Sequence, residues 1–201
     1  MLKIYLYNLI IISFFLASCS AEVTTTATTD ATYPTSVSGV TASGTMSGLS
    51  GTYATVCSDA SSMGTMKPAD ATHIGFVLVI TGSTTFTREI NYYKDSACTS
   101  LSLGWYFNNT SYLEGVTSGT DTKVTYTQAN QTFLAKTTEG ETFIEALFGA
   151  GFDVTVGTVK VTVSGVTYYN LIKGSDSTIN FGVESPTAYP SSSEGNVYYK
   201  Q

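Results

Sequence analysis

The chain has 201 residues, 42% hydrophobic and only 12% charged, which is too apolar and too weakly charged for an intrinsically disordered protein. Its 34 Thr and 24 Ser stand against nine Lys and Arg, a β-favouring, turn-rich mixture that argues against a helix bundle. The net charge is −6, Arg88 is the only arginine and His73 the only histidine, so phosphate-tracking nucleic-acid surfaces and multi-histidine metal sites are excluded.

At the N-terminus Lys3 supplies one positive charge, and Ile4 to Leu16 forms an apolar run of 13 residues, interrupted by Asn8 and Ser13, that ends in Leu16-Ala17-Ser18-Cys19. This is the layout of a signal peptide over residues 1–18, and it is short of the roughly 20 residues a spanning helix needs. Leu-Ala-Ser-Cys resembles the lipobox of bacterial lipoproteins. The resemblance implies cleavage before Cys19, diacylglycerol on its sulfur and acylation of the new α-amine, two or more chains being enough for stable anchoring where one is not. Ser20, in place of Asp, implies sorting to the outer membrane. Removing residues 1–18 deletes Lys3 and leaves 8 positive against 15 negative residues, a mature charge of −7.

Residues 19–49 are dominated by Thr, Ser, Ala and Gly without sustained apolar alternation, the composition of a flexible tether. Residues 50–201 are the right size for one domain with its own core.

Within that domain, Thr72 to Ile80 and Thr84 to Tyr93 read as a hairpin around Thr81-Gly82-Ser83. Phe86, Arg88, Ile90 and Tyr92 share one face of its second strand. Cys98 to Phe107 places Leu101, Leu103, Trp105 and Phe107 on one face, and shorter strands are expected near Tyr112 to Val116, Thr122 to Gln128 and Gln131 to Lys136. Val154 to Val163 and Val166 to Ile172, separated by Ser164-Gly165, read as a second hairpin, with Thr178 to Val183 and Val197 to Lys200 closing the chain. One helical patch, Glu141 to Phe148, carries a candidate capping box at Thr138 and Glu141 and is stopped by Gly149 and Gly151. In a barrel such a helix either closes the core or forms a lid over a ligand cavity, and closure is the simpler expectation. The fold expected is all-β: an antiparallel up-and-down barrel of about 8–10 strands with one short helix.

With Cys19 assigned to lipid, Cys57 and Cys98 form an even pair in an exported chain, and a disulfide is expected. Gly51-Thr52-Tyr53 leads into Cys57, and Tyr93-Lys94-Asp95-Ser96-Ala97-Cys98 sits after the first hairpin. This pattern resembles lipocalin-like domains, including small-barrel domains of bacterial lipoproteins, in which a G-x-W strand start runs to a Cys and a later Y-x-D-x-x-C carries its partner. Tyr53 departs from that pattern, where Trp is usual. The resemblance implies a barrel with an Arg stacked on the first-strand aromatic, here Arg88 over Tyr53. The other reading of Arg88 is that a bulge turns it outward to pair with Glu89 or another carboxylate.

No G-x-S-x-G, S-x-x-K, P-loop, G-x-G-x-x-G or EF-hand loop occurs. His73, beside an apolar strand, reads as structural, and Glu139, Glu141 and Glu145 read as solubilising charge on an exposed helix face. In the adjacent pairs Tyr92-Tyr93, Tyr168-Tyr169 and Tyr198-Tyr199 one ring of each must face away from the core, which suits protein or glycan contact. The leading expectation is a non-enzymatic, outer-membrane-anchored monomer without cofactor or metal. It binds a small apolar or amphipathic ligand among Tyr53, Phe86, Arg88, Ile90, Tyr92, Leu101, Leu103 and Trp105. The alternative is a surface interaction protein whose barrel or sandwich is filled.

Overall fold

In a computed structural model, residues 31–193 and 195–201 are described. The signal peptide, Cys19 and the first part of the expected tether lie outside them. The elements are β1 (Thr52–Ala54), β2 (Ser58–Asp59), a 3-10 turn (Ser61–Met63), β3 (His73–Ile80), β4 (Phe86–Tyr93), β5 (Leu101–Ser118), β6 (Asp121–Ala135), α1 (Thr138–Phe148), β7 (Val159–Gly174), β8 (Thr178–Phe181) and β9 (Asn196–Lys200). All pairings are antiparallel, and β3 to β9 follow one another as neighbours. β1 pairs with β3 on one side and β9 on the other, which closes an eight-stranded barrel. β2 continues β1 along β3 after a break. At that break the Thr55 hydroxyl accepts from the Phe76 N–H at 3.0 Å, standing in for a ladder carbonyl.

Two readings of strand ends give way to longer strands. The stretches expected as separate strands between Tyr112 and Lys136 merge into β5 and β6, which absorb several bulges rather than breaking. Ser164-Gly165 does not reverse the chain: Gly165, at φ 72°, forms a bulge opposite Ala129, and the two halves of the expected hairpin are one strand, β7. The helix begins earlier than expected, with Thr137 as its N-cap accepting from Gly140 N at 3.1 Å, so the capping residue is Thr137 and not Thr138.

The register stacks the interior in layers. Ile90, Trp105, Phe133 and Lys160 lie side by side across four strands, followed by Arg88, Phe107, Gln131 and Thr162, then Phe86, Asn109, Gln128 and Val166. One half of the interior is filled by Tyr53, Phe86, Tyr126, Tyr168, Phe181 and Tyr198, the other by Tyr92, Leu103, Trp105, Phe133 and Ile144 of the helix. The helix closes this second half: Phe143 meets Tyr92 at 5.7 Å between ring centroids and Phe148 meets Phe133 at 5.1 Å. Glu141 and Glu145 are not merely solubilising, since their carboxylates accept from Val156 N and Val154 N at 3.0 Å and pin the loop that returns to β7.

Residues 32–49 are not a free tether. Pro34 lies on Gly75, and Tyr33 packs on Tyr199 at 5.4 Å. Glu89, 1% exposed on the outer face of β4, accepts from the Ser36 hydroxyl at 2.6 Å, Val37 N at 2.9 Å and Asn91 Nδ2 at 2.9 Å. Val40 and Ala42 cover Ala54, Val77 and Val79. A turn through Ser47 (φ 57°) and Gly48 (φ 76°) then drops Met46 and Leu49 into the end of the barrel. The folded body therefore reaches back to about Thr32.

Cys57 and Cys98 form the expected disulfide, closing 41 residues, a loop worth about 4 kcal/mol in the chain-entropy view. Asp95 shapes the turn that presents Cys98 at φ 51°, accepting from Ala97 N, Thr99 N, the Thr99 hydroxyl and Ser100 N. Slight burial opposes its ionisation, and these bonds outweigh it, holding the carboxyl below its ordinary range.

Gly75 has no room for a side chain beneath Pro34. Gly75→Val should lift the strap while leaving the barrel closed, read as faster amide exchange confined to residues 33–43; exchange spreading through β3 to β5 instead would mean the strap is integral to the barrel.

Candidate functional site

The most unusual chemistry of the interior is its one guanidinium. β4 alternation turns Arg88 inward beside Phe107 of β5, and the loop after β8 delivers Glu184 to it. Arg88 Nη1 donates to Glu184 Oε2, and the Tyr126 hydroxyl donates to the same oxygen. Arg88 and Asn170 Nδ2 each donate to Tyr126 Oη at 3.4 Å, Tyr198 meets the guanidinium, and Arg88 lies 4.9 Å over the Phe181 ring. Both partners are largely buried, with 15% and 5% of their side chains exposed. Burial, the largest single effect, works against the Arg88 charge, but Glu184, Tyr198 and Tyr126 together outweigh it, so the guanidinium holds its proton more tightly than usual. Tyr126 is held neutral well above its ordinary range, first by burial and then by Glu184.

Polar interior residues continue beside this pair. Trp105 Nε1 donates to Gln131 Oε1 at 3.1 Å, Gln128 Nε2 to the Ser164 hydroxyl at 2.8 Å, and Asn109 Nδ2 to the Phe107 carbonyl at 3.0 Å. They form a polar band between the two aromatic halves, and each has a partner within the barrel wall.

The loop carrying Glu184 is itself fastened. Gly182 N donates to Leu171 O, Ser185 and Tyr169 exchange both backbone bonds, and the Ser193 hydroxyl donates to Asp121 Oδ1 at 2.7 Å. A Cβ on Gly182 would meet Asn170 Oδ1 at 2.8 Å, which is why no side chain fits there.

Of the residues expected inside the barrel, Tyr53, Phe86, Arg88, Ile90, Tyr92, Leu103 and Trp105 are buried there. Leu101 is not: a bulge at Ser102 pairs it with Tyr93 rather than Lys94, and it is half-buried outside both clusters. Arg88 points inward but does not stack on Tyr53, whose ring is approached by Lys200 Nζ at 5.9 Å, and it does not pair with Glu89, which faces the other way onto the strap. The second tyrosine of each adjacent pair is covered rather than presented: Tyr93 is buried, and Tyr169 and Tyr199 pack against Tyr189 and Tyr33. Glu184, Tyr126, Asn170 and Phe181 had no signal of their own in the sequence; the one clue was that a buried arginine needs a carboxylate.

His73 sits at the start of β3 with Nδ1 2.9 Å from the Thr72 hydroxyl. Among the described residues no three His, Cys, Asp or Glu side chains come together as metal ligands, and no helix is long and apolar enough to cross a membrane. No protein-family model matches the chain, and no curated protein matches it.

Removing one partner of the pair strands a buried charge, which costs about 3–5 kcal/mol. Arg88→Leu should lose stability on that scale in urea unfolding, and Arg88→Leu with Glu184→Leu should recover most of it. Tyr92, Tyr93, Tyr112 and Tyr126 all have raised ionisation ranges, with burial the first cause. The unfolded chain releases these protons near pH 10 and the folded one does not. Stability should therefore be intact below about pH 10 and fall above it, with tyrosinate absorbance rising together with loss of β circular dichroism.

Proposed function

We propose that the protein is a non-enzymatic, exported lipoprotein, related to the lipocalin-like small-barrel domains. In this reading it is anchored in the outer membrane through Cys19, and its barrel is a rigid scaffold for contact with another protein. The observation that carries this is the filling of the interior. Phe86 lies 5.0 Å from Tyr126 and 5.9 Å from Phe181, and Trp105 lies 5.1 Å from Phe107 and 5.6 Å from Phe133. The cation that would orient an acidic ligand is already matched by Glu184. A carrier keeps such space for its cargo.

Apolar residues are instead displayed outside. Past Asn109, β5 loses β4 as its neighbour except for Tyr112 N donating to Thr84 O. The β5–β6 ribbon beyond carries Leu113 at 63% and Val116 at 78% exposure, a place where a partner protein would gain apolar burial. The anchor reading rests on the 1–18 leader and Leu16-Ala17-Ser18-Cys19.

Two measurements test this. Cys19→Ala should move the protein from the membrane to the soluble fraction. Native mass spectrometry of the gently extracted protein should give the mass of the acylated chain alone. A stoichiometric co-purified small molecule would overturn the scaffold in favour of a carrier, and membrane retention of Cys19→Ala would overturn the anchor.

A further inference from the structure

The barrel wall has an open seam. β7 pairs with β6 along nearly its whole length, from Val159 to Ile172, but its other edge meets β8 only at Ile172–Gly174 and Ser185 only at Tyr169. Among the described residues no strand pairs with that edge over residues 159–167. Such an edge presents a row of backbone donors and acceptors ready for another strand. In the register, Lys160 and Thr162 fall in layers with Trp105 and Phe107, on the inner side, so Val159, Val161 and Val163 lie on the outer side. They are 54%, 55% and 91% exposed.

We infer that this edge pairs with the same edge of a second copy of the chain, antiparallel across a two-fold axis centred on Val161. Three observations select a second copy as the occupant. First, Val-Lys-Val-Thr-Val reads the same in apolar pattern in both directions, so centring on Val161 sets Val159 opposite Val163 of the other copy, Val161 opposite itself and Val163 opposite Val159. Secondly, in that register Lys160 faces Thr162. Centring on Lys160 would set two lysines opposite each other, a destabilising arrangement, and centring on Thr162 loses a valine pair to Gly165. Thirdly, the chain carries −6 overall, and two acidic copies repel over most of their surface. Residues 154–168 contain no Asp or Glu, and the paired stretch of β6 from Thr122 to Leu134 contains none either. This is where two copies approach without facing carboxylates. The pairing would make β6, β7 and their counterparts one continuous sheet, an isologous contact, and it replaces the monomer expected from the sequence. It stands on the β7 edge alone and not on the reading of the β5–β6 ribbon.

The contact is short and belongs with transient interfaces, so the full chain in mild detergent should pass from monomer to dimer with concentration in sedimentation. Val161→Asp places two carboxylates opposite each other on an exposed site and should weaken the dimer at least about tenfold with unchanged thermal melting. Val161→Cys should give cross-linked dimer on mild oxidation well beyond the parent chain, while Val163→Cys, displaced from the axis, should not. A chain that stays monomeric at all concentrations overturns the inference. So does a dimer indifferent to Val161→Asp, or equal cross-linking of the two cysteine variants.

Discussion

A barrel whose only guanidinium points inward must neutralise it, and the placement of Glu184 answers that demand. The pair draws in Tyr126, Asn170, Tyr198 and the face of Phe181, so strands β4, β6, β7, β8 and β9 all contribute to one polar knot. Because Glu184 comes from a loop, that loop must be held close, which accounts for the backbone bonds between Ser185 and Tyr169 and the absence of a side chain at Gly182. A buried ion pair is weak evidence of extra stability compared with an apolar core. Its effect on register is a penalty, because strand registers that moved Arg88 off this face would leave Glu184 buried without a charge partner.

Around the knot, hydrophobic burial is divided rather than continuous. One aromatic group fills the end capped by Met46 and Leu49, the other the end closed by the helix, and hydrogen-bonded amides separate them. Arg88 lies in the layer between Phe86 of one group and Ile90 of the other, so the ion pair with Glu184 sits at the boundary between them.

The sequence carried much of this, for identifiable reasons. Period-two alternation in β3 and β4 placed Phe86, Arg88, Ile90 and Tyr92 on the inner face correctly, because each strand there is short and unbulged. Leu101 was misplaced because the bulge next to Tyr93 changes which residues share a face, and alternation has no signal for a bulge. Ser164-Gly165 misled for a related reason: the same dipeptide serves a reversal or a bulge, and the choice depends on whether β6 continues opposite it. The strap was misread because composition reports flexibility only where nothing covers the chain. Thr, Ser and Val residues become ordered once Glu89 and the outer face of β3 supply partners. Glu184 was illegible because its role is set by a partner 96 positions away.

The strap also determines how the molecule bears load. Thr32 O accepts from Cys57 N at 2.9 Å, so the chain enters the folded body beside one end of its covalent cross-link. Tension applied from the N-terminal side reaches Pro34, the Glu89 grip and the Cys57 region before it reaches the barrel closure between β1 and β9. The disulfide ties that corner of the body to the turn before β5. The chain is thus handed to the body beside its covalent cross-link, whatever lies at the far end of the pull.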